Sequence, residues 1–359
     1  MPTVLVAGAS GLVGYAAAKH FASLSGWKVV AVSRRLPDGL DGVELISVDL
    51  TDRARCAEVF GRMRDVTHLV YAALYEKPGL IRGWREHDQM ETNRVMLENL
   101  FDPLRAAATG LAHVTLLQGT KAYGAHLGPI AIPAKERQPR HVHENFYWLQ
   151  EDYLRACQRG QAWRWTILRP QVIFGESLGS HMNLIPAIGV YAALLREEGR
   201  PLTFPGGPPW VREAVDADLL ARACAWAAVS PACANEIFNI NNGDVFEWRH
   251  VWPAIAETLG MEAGGDEPLS LAETMPAREK EWEAIVRRHG LRAPARFADY
   301  VGQGFIYADA QFAYGAKRPP PTTLVSTIKA RQAGFHECMD TEDMFRKWFR
   351  RFRELRWLP

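Results

Sequence analysis

The stretch Gly8-Ala9-Ser10-Gly11-Leu12-Val13-Gly14 decides the fold of this chain. It follows the apolar run Val4–Ala7 directly and opens a helical pattern. Glycines at such a junction let the chain turn tightly, let a pyrophosphate approach the backbone and let the helix pack against the strand. The helix N-terminus adds unpaired N–H groups and the positive end of the helix dipole. The stretch therefore predicts a strand–loop–helix unit that binds a dinucleotide.

Short apolar runs alternate with helical patterns over the first 170 residues, which indicates an α/β fold with a doubly wound parallel sheet. The predicted strands are Val4–Ala7, Lys28–Val32, Val43–Val48, His68–Ala72, His113–Leu117, Trp165–Leu168 and a late strand at Ile237–Asn241. The predicted helices are Val13–Leu24, Arg53–Arg62, Asn93–Ala107, Tyr147–Gln158, Asn183–Glu197 and Arg249–Leu259. We predict a nucleotide-binding domain at 1–170, with a late strand returning near 237–241, and a smaller, irregular, mostly helical substrate lobe at 171–359. Within that lobe, Asp266–Pro276 is predicted to be a loop.

Composition excludes several classes of protein. The 359 residues contain 42 Lys or Arg and 41 Asp or Glu, a formal net charge of +1, which is unlike a general nucleic-acid binder. No apolar run reaches about 18 residues, so no membrane insertion is expected. The N-terminus has no charged leader, and the five cysteines form no CxxC pair, so we expect a cytoplasmic protein with reduced thiols. His141 and His143 have no carboxylate or thiol at ligand spacing, and no metal site is predicted.

The segment Met344 to Leu358 is amphipathic, with Met344, Trp348, Phe352 and Leu355 at helical spacing and a strongly basic opposite face. Two interpretations stay open. The helix docks its apolar face on the core, or it lies on a membrane surface.

The second predicted strand ends in Ser33-Arg34-Arg35, where an NAD-selective site usually carries an acidic residue for the ribose 2′-hydroxyl. Two arginines instead offer bidentate donors to a 2′-phosphate, which favours NADPH. Asp49, at the end of the third strand, suits the adenine edge. Its alternative role is to cap the following helix together with Thr51 and Asp52.

The glycine spacing, Asn93 opening a helix and Arg169-Pro170 after the sixth strand resemble the extended short-chain dehydrogenase/reductases. That family usually carries a lysine four residues after its catalytic tyrosine, on the same helix face. Here the residue four positions after Tyr147 is Glu151, and Gly119 stands where the family's serine or threonine belongs. The alcohol dehydrogenase and epimerase machinery is therefore not intact.

A more specific resemblance covers nearly the whole chain and thins after about residue 260. Two stretches closely resemble motifs of the progesterone 5β-reductase/iridoid synthase-like enzymes, Gly119-Thr120-Lys121-Ala122-Tyr123-Gly124 and Asn145-Phe146-Tyr147-Trp148-Leu149-Gln150-Glu151-Asp152. Further matches are Arg34-Arg35, Arg169-Pro170 through Ile173-Phe174-Gly175, Met182-Asn183, Asp216-Ala217-Asp218-Leu219 and Asn239 through Trp248.

This resemblance implies a catalytic pair, Tyr147 and Lys121, and NADPH-dependent reduction of the C=C bond of enones and enals. The expected cofactor-binding residues are Gly8, Ser10, Gly11, Leu12, Val13, Gly14, Ser33, Arg34, Arg35, Asp49, Leu50, Ala72, Asn93, Gln118, Gly119, Tyr147, Pro170, Val172 and Ile173. The expected substrate-binding residues are His181, Met182 and Asn183, while Trp210, Phe204 and Phe305 are candidates for an apolar pocket wall. The expected partner is a small enone or enal, and a homodimer is a further expectation.

The chemistry of conjugate reduction explains the absent serine. Hydride goes to the β-carbon, and negative charge develops on the distant carbonyl oxygen, so the site needs a hydrogen-bond donor to an oxyanion. We predict that the Tyr147 hydroxyl donates to that oxygen. We also predict that Lys121 lowers the pKa of Tyr147 and supports the enolate.

Two alternatives remain from the sequence. One is an extended short-chain dehydrogenase that acts as a sugar-nucleotide epimerase, dehydratase or carbonyl reductase, against which Glu151 counts. The other is a non-catalytic NADP(H)-binding sensor, which predicts tight nucleotide binding without turnover.

Overall fold

The computed structural model describes all 359 residues. Its strands are β1 (Thr3–Ala7), β2 (Lys28–Ser33), β3 (Glu44–Ser47), β4 (His68–Tyr71), β5 (His113–Leu117), β6 (Arg164–Pro170), β7 (Val172–Phe174), β8 (Leu202–Phe204), β9 (Ala214–Asp216), β10 (Glu236–Ile240) and β11 (Ala263–Asp266). Its α-helices are α1 (Leu12–Ser23), α2 (Arg53–Phe60), α3 (His87–Ala107), α4 (Phe146–Gln158), α5 (Leu184–Glu197), α6 (Ala217–Val229), α7 (Trp248–Thr258), α8 (Leu271–Thr274), α9 (Glu279–Arg288), α10 (Phe297–Tyr300), α11 (Gly304–Gln311), α12 (Ile328–Gln332) and α13 (Thr341–Glu354).

Seven strands form one parallel sheet in the order β10-β6-β5-β4-β1-β2-β3. Strand β1 is central, with Leu5 in register with Val30 on one side and Leu69 on the other. All five residues of β1 are buried, as expected where helices cover both faces of a parallel sheet. The strand order reverses between β1 and β4, and ligands bind at the carboxyl ends of the strands at such a switch point. The predicted fold class is confirmed.

Helices cover both faces of the sheet. Apolar residues of α1 and α6 share one core cluster with the sheet, and those of α2, α3 and α4 share another on the opposite face. Strand β10 and helix α6 therefore belong to the sheet although they come from the second half of the chain. Two further pairs of short parallel strands, β7 with β9 and β8 with β11, lie outside the main sheet.

The largest apolar cluster, with 44 buried residues, is built mainly from the second half of the chain. Met344, Phe345 and Phe349 of α13 are fully buried in it, and Trp348 is 4% exposed. The apolar face of α13 is thus covered by the protein itself, which supports docking on the core over a membrane-surface position. None of the helices combines the length and apolar character needed to cross a bilayer.

Two predicted elements differ from the structure. Helix α3 begins six residues before Asn93, because Gln89 in its first turn already accepts a hydrogen bond from the Lys77 backbone N–H at 2.9 Å. The predicted loop Asp266–Pro276 contains α8. There the N-terminal backbone N–H of Leu271 donates to Asp309, a distant partner that local sequence does not reveal.

Candidate active site

A cavity of about 700 Å³ opens at the carboxyl edge of the sheet, over the switch point. Loops after β1, β2, β4, β5 and β6 form one wall, and residues of the second half of the chain form the other. The cavity brings together twenty of the predicted site residues, namely Gly8, Ser10, Gly11, Leu12, Val13, Ser33, Arg34, Arg35, Asp49, Leu50, Ala72, Gln118, Gly119, Lys121, Tyr147, Pro170, Val172, Ile173, His181 and Met182.

The glycine loop has the geometry that a dinucleotide requires. Gly8 has a φ of +89°, and a Cβ there would lie 2.8 Å from the backbone of Ala72. A Cβ on Gly14 would collide with the Gly8 carbonyl oxygen, so Gly14 allows close packing without lining the cavity. Gly11 caps α1 without a side-chain hydrogen bond, which leaves the first-turn N–H groups facing the cavity. This cradle fits the pyrophosphate of a dinucleotide.

Arg34 and Arg35 lie at one end of the cavity, which we call the arginine end and define as Ser33–Arg35 with Gly179–His181. Both guanidinium groups are exposed and neither forms an ion pair within the chain. The Ser33 hydroxyl donates to the Arg35 carbonyl oxygen at 2.5 Å and fixes the turn that carries them. Two free guanidinium groups beside a dinucleotide cradle fit a 2′-phosphate.

His181 also belongs to the arginine end. A Cβ built on Gly179 would lie 3.3 Å from an Arg35 guanidinium nitrogen, and a Cβ on Gly302 would contact both Gly179 and the His181 ring. Burial lowers the pKa of His181, and the nearby Arg35 and Arg34 lower it further. The structure thus places His181, predicted as a substrate contact, at the same end of the cavity as Arg34 and Arg35.

Three predicted site residues do not line the cavity. Gly14 packs against the loop, as described above. Asn93 is fully buried inside α3, where it accepts from the Tyr75 backbone N–H at 2.9 Å and donates to the Tyr75 carbonyl oxygen at 2.9 Å. Asn183 caps α5 and donates to the Gly175 carbonyl oxygen at 2.8 Å. Asn93 and Asn183 therefore hold segments next to the cavity without lining it.

Asp49 lines the cavity, and its carboxylate accepts from the backbone N–H and the hydroxyl of Thr51 at 2.9 and 2.8 Å. The Thr51 backbone donor lowers the pKa of Asp49 from its ordinary value. The cap of α2 is Asp52, which accepts from Arg55 N at 3.0 Å. Asp49 thus fixes the turn and keeps one carboxylate oxygen free.

Lys121 and Tyr147 lie at the other functional end of the cavity, which we call the tyrosine end and define as Gly119, Lys121 and Tyr147. Lys121 Nζ lies 4.2 Å from the centroid of the Trp84 ring and 5.7 Å from that of Tyr147, with no ion pair or hydrogen bond in the chain. Burial lowers the pKa of Lys121, and the Glu76 carboxylate partly opposes this by favouring the ammonium. The tyrosine end therefore holds a desolvated cation over aromatic rings.

Tyr147 is 8% exposed, and its hydroxyl lines the cavity without a hydrogen bond inside the chain. Burial raises the pKa of Tyr147 above its ordinary value, with smaller contributions in the same direction from Glu76 and Tyr307. The prediction that Lys121 lowers this pKa is wrong for this structure, because burial dominates and Lys121 lies over the ring. Tyr147 is thus a neutral phenol with a free O–H donor.

Asn145 connects the two residues of the pair. Its side-chain oxygen accepts from Tyr147 N at 3.0 Å and caps α4, while its Nδ2 donates to the Lys121 carbonyl oxygen at 3.3 Å. One side chain therefore ties the turn after β5 to the first turn of α4. The Asn-Phe-Tyr sequence carries this cap as a local signal.

Gly119 explains the absent serine sterically. A Cβ at this position would lie 3.2 Å from the Tyr147 hydroxyl oxygen and 3.6 Å from the Pro170 carbonyl oxygen. A serine there would crowd the phenol. The glycine therefore leaves room for the tyrosine hydroxyl at the place where related folds put a second hydroxyl.

Glu151, four residues after Tyr147, is buried away from the cavity. Its carboxylate accepts from Gln118 Nε2 at 2.9 Å and pairs with Arg155 at 3.0 Å and Arg169 at 3.8 Å. Gln118 also accepts from Arg169 Nε at 2.8 Å. Glu151 thus forms a buried ion-pair and hydrogen-bond network at the position where related enzymes carry a lysine. The proton relay from a tyrosine to a lysine on the same helix face is therefore absent.

Several residues of the cavity wall are not indicated by any motif in the sequence. Trp84 and Glu76 lie between β4 and α3, where Glu76 accepts from Trp84 Nε1 at 3.3 Å. Arg212 and Tyr307 come from the second half of the chain, where no motif indicated them. Trp210 lines the cavity as predicted, but Phe204 and Phe305, at 3% and 6% exposure, are core residues outside it.

A parallel sheet with a glycine loop at its switch point carries Tyr147 and Lys121 over the same edge. Together with relatives named as reductases and synthases, this arrangement defines an oxidoreductase of the short-chain dehydrogenase/reductase superfamily. A UDP-glucose 4-epimerase of Thermus thermophilus, solved with NAD, shares this fold with a TM-score of 0.67. It is 20% identical, over 98% of this chain and 99% of that chain.

The family is shown by sequence comparison. The model of the PRISE-like Rossmann-fold domain matches residues 57–359. An (S)-8-oxocitronellyl enol synthase of Antirrhinum majus is 32% identical over 99% of this chain and 92% of its own length. A 3-oxo-Delta(4,5)-steroid 5-beta-reductase of Arabidopsis thaliana is 32% identical, with the same coverage of both chains. The chain belongs to the PRISE-like family, and the predicted resemblance is confirmed.

Proposed function

We propose that this protein is an NADPH-dependent reductase of the C=C bond of α,β-unsaturated carbonyl compounds. The observation that carries the proposal is the tyrosine end, where a neutral, hydrogen-bond-free Tyr147 hydroxyl and the partly exposed, unpaired Lys121 ammonium face one cavity. The names of the relatives, an enol synthase and a steroid 5-beta-reductase, support the same class of substrate.

The cofactor is assigned to NADPH by the fit of its two ends. The loop Gly8–Val13 would hold the pyrophosphate, and Arg34 and Arg35 would hold the 2′-phosphate. The backbone at Pro170–Ile173, which lines the same cavity, would border the nicotinamide. We propose that residues 1–170 with β10 form the nucleotide-binding part and that the rest forms the substrate pocket. When bound, NADPH supplies the hydride.

The residues of the tyrosine end act on the carbonyl group. As the β-carbon becomes saturated, negative charge develops on the carbonyl oxygen, and the Tyr147 hydroxyl donates a hydrogen bond to it. The Lys121 ammonium stabilises the same charge in a site with a low dielectric constant. Because Tyr147 is held neutral by burial, it acts as a donor and needs no prior deprotonation.

The residue four positions after Tyr147, Glu151, does not support the epimerase alternative. Glu151 forms a buried network with Gln118 and Arg169, so no base stands behind the tyrosine to remove its proton. Conjugate reduction requires no such base, because the proton on the α-carbon can come from water.

The test is turnover of NADPH with a panel of enones and enals of graded size, starting from 2-cyclohexen-1-one. We expect consumption of NADPH together with the saturated carbonyl compound as the product, identified by mass spectrometry. Saturated ketones of the same size are the control and should give no turnover. A protein that binds NADPH tightly but reduces no member of the panel would be the non-catalytic sensor instead.

A further inference from the structure

Arg212 is a buried cation without a counter-ion. Two arginines of the chain are buried, Arg169 with 5% and Arg212 with 6% of its surface exposed. Arg169 has Glu151 at 3.8 Å, whereas no carboxylate approaches Arg212 within ion-pair distance. An unpaired buried charge is costly, so such a group is normally paired when the protein works.

The neighbours of Arg212 leave its charge uncompensated. Its guanidinium contacts the Gln311 side-chain oxygen and lies 3.8 Å from the centroid of the Trp210 ring. The adjacent Glu213 is occupied elsewhere, accepting from Gln171 at 2.8 Å and from Asn241 at 2.7 Å. Burial lowers the pKa of Arg212 to about 10, with Tyr307 and Glu213 opposing the shift.

A second unused donor lies beside the guanidinium. The indole N–H of Trp210 is buried and has no hydrogen-bond partner. Arg212, Trp210 and Gln311 all line the cavity that contains the tyrosine end. Two unmatched donors, one of them cationic, match the two acceptor oxygens of a carboxylate.

Tyr307 connects this group to the reaction site. It lines the same cavity, and its hydroxyl makes no hydrogen bond in the chain. Burial raises the pKa of Tyr307 to about 12, and Arg212 lowers it. Tyr307 in turn contributes to the raised pKa of Tyr147. Tyr307 therefore lies in the same cavity as both Arg212 and Tyr147.

We propose that Arg212 and the Trp210 indole N–H form a carboxylate-binding subsite, so that the enones or enals reduced here carry a carboxylate remote from the reacting carbonyl. The inference rests on the proposed function, which supplies the reaction. The binding of the carboxylate is argued only from the geometry of residues in the second half of the chain. It names a substrate class, an unsaturated carbonyl acid, rather than a neutral enone.

The test uses 2-alkenals that end in a carboxylate, with two to eight methylene groups as the spacer. Each acid is compared with its own methyl ester. We expect the wild-type protein to prefer the acid by at least tenfold in kcat/KM at one or more spacer lengths. This ratio should fall to near one in Arg212→Gln and stay partly above one in Arg212→Lys. Equal kcat/KM for acid and ester at every length in the wild type would overturn the proposal.

Arg249 provides the matched control. It lies 4.7 Å from the Phe204 ring centroid but pairs with Asp266 at 2.9 Å, outside the cavity. Arg249→Gln should therefore keep the wild-type ratio of acid to ester. If Arg212→Gln does not fold, the wild-type ratio and the Arg212→Lys variant still decide the outcome.

A binding measurement separates this inference from the proposed function. Calorimetric titration with adipate in the presence of NADP⁺ requires no turnover. We expect saturable binding to the wild type and at least tenfold weaker binding to Arg212→Gln. Adipate binding without reduction of any alkenal would support the subsite and overturn the proposed function. Alkenal reduction with neither adipate binding nor a preference for the acid would support the proposed function and overturn the carboxylate-binding subsite.

Discussion

The arginine end and the tyrosine end of the cavity are built in opposite ways. Arg34 and Arg35 are neighbours in sequence, exposed and free to adjust to a phosphate in water. Lys121 and Tyr147 come from different segments whose backbones Asn145 connects, and Tyr147 is buried while Lys121 is only partly exposed. Charges in water are screened, whereas buried groups act through short distances and a low dielectric constant. We therefore expect substitutions at the tyrosine end to have the larger effects.

The largest effect is expected for Tyr147→Phe. The variant keeps the buried ring but loses the hydroxyl that donates to the carbonyl oxygen. Loss of one oxyanion donor typically lowers kcat by about 10²–10³, or roughly 3–4 kcal/mol. Steady-state kinetics with 2-cyclohexen-1-one should show this loss, while the Kd for NADPH measured by fluorescence titration stays near the wild-type value. Full activity in this variant would remove the hydroxyl from the mechanism.

Gly119→Ser is expected to follow. The backbone at Gly119 has a φ of −176°, which any residue adopts, so the effect arises from the side chain and not from backbone strain. The new Cβ would lie 3.2 Å from the Tyr147 hydroxyl oxygen and displace it. At this distance the hydroxyl has to shift by a few tenths of an ångström. A misplacement of about 1 Å lowers rates by roughly 100-fold, so this smaller shift should lower kcat by roughly tenfold.

The control for this substitution is Gly110→Ser, where an added Cβ meets nothing within 4 Å. This variant should retain the wild-type kcat. If both serine variants are equally active, the glycine after β5 has no role in placing the tyrosine hydroxyl.

At the arginine end, Arg34→Ala and Arg35→Ala should each raise the Kd for NADPH roughly tenfold, about 1.4 kcal/mol, because one charge-assisted contact to the 2′-phosphate is lost. The Kd for NADH should not change, since NADH lacks that phosphate. Arg64→Ala, an exposed arginine outside the cavity, is the control. Equal losses for NADPH and NADH would show that the arginines do not read the 2′-phosphate.

The smallest effect is a shift in pH dependence. The Glu76 carboxylate favours the ammonium form of Lys121, so Glu76→Gln should lower the pKa of Lys121 further. The ammonium is lost as pH rises through this pKa, and the alkaline limb of kcat/KM should therefore move to lower pH. Glu86→Gln, at an exposed ion pair with Lys77, should leave the limb in place. If the alkaline limb of kcat/KM does not move in Glu76→Gln, the Glu76 carboxylate does not influence the ionisation of Lys121.

The two ends also differ in how well the sequence predicts them. The glycine loop and the arginine pair are read from consecutive residues, and the doubly wound parallel sheet follows from the alternation of strands and helices. Their predicted positions at the cavity agree with the structure. Local geometry decides both features, which is why sequence alone suffices.

The tyrosine end and its surroundings depend on long-range packing. Trp84 and Glu76 lie in a segment without periodicity, and the pKa of Tyr147 is set by burial that its sequence neighbours do not reveal. Asn183, predicted as a substrate contact, caps α5 and does not line the cavity, and capping is equally typical of an asparagine before an apolar helical run. The resemblance indicated Lys121 and Tyr147, the pair that we propose to be catalytic, but it did not indicate Arg212.

The central claim is that the tyrosine end directs reduction to the C=C bond and not to the carbonyl group. The most direct measurement is the position of deuterium in the product after turnover of an enal with NADPH deuterated at C4 of the nicotinamide, determined by NMR. We expect deuterium at the β-carbon of a saturated aldehyde. Deuterium at the carbonyl carbon of an allylic alcohol would contradict it.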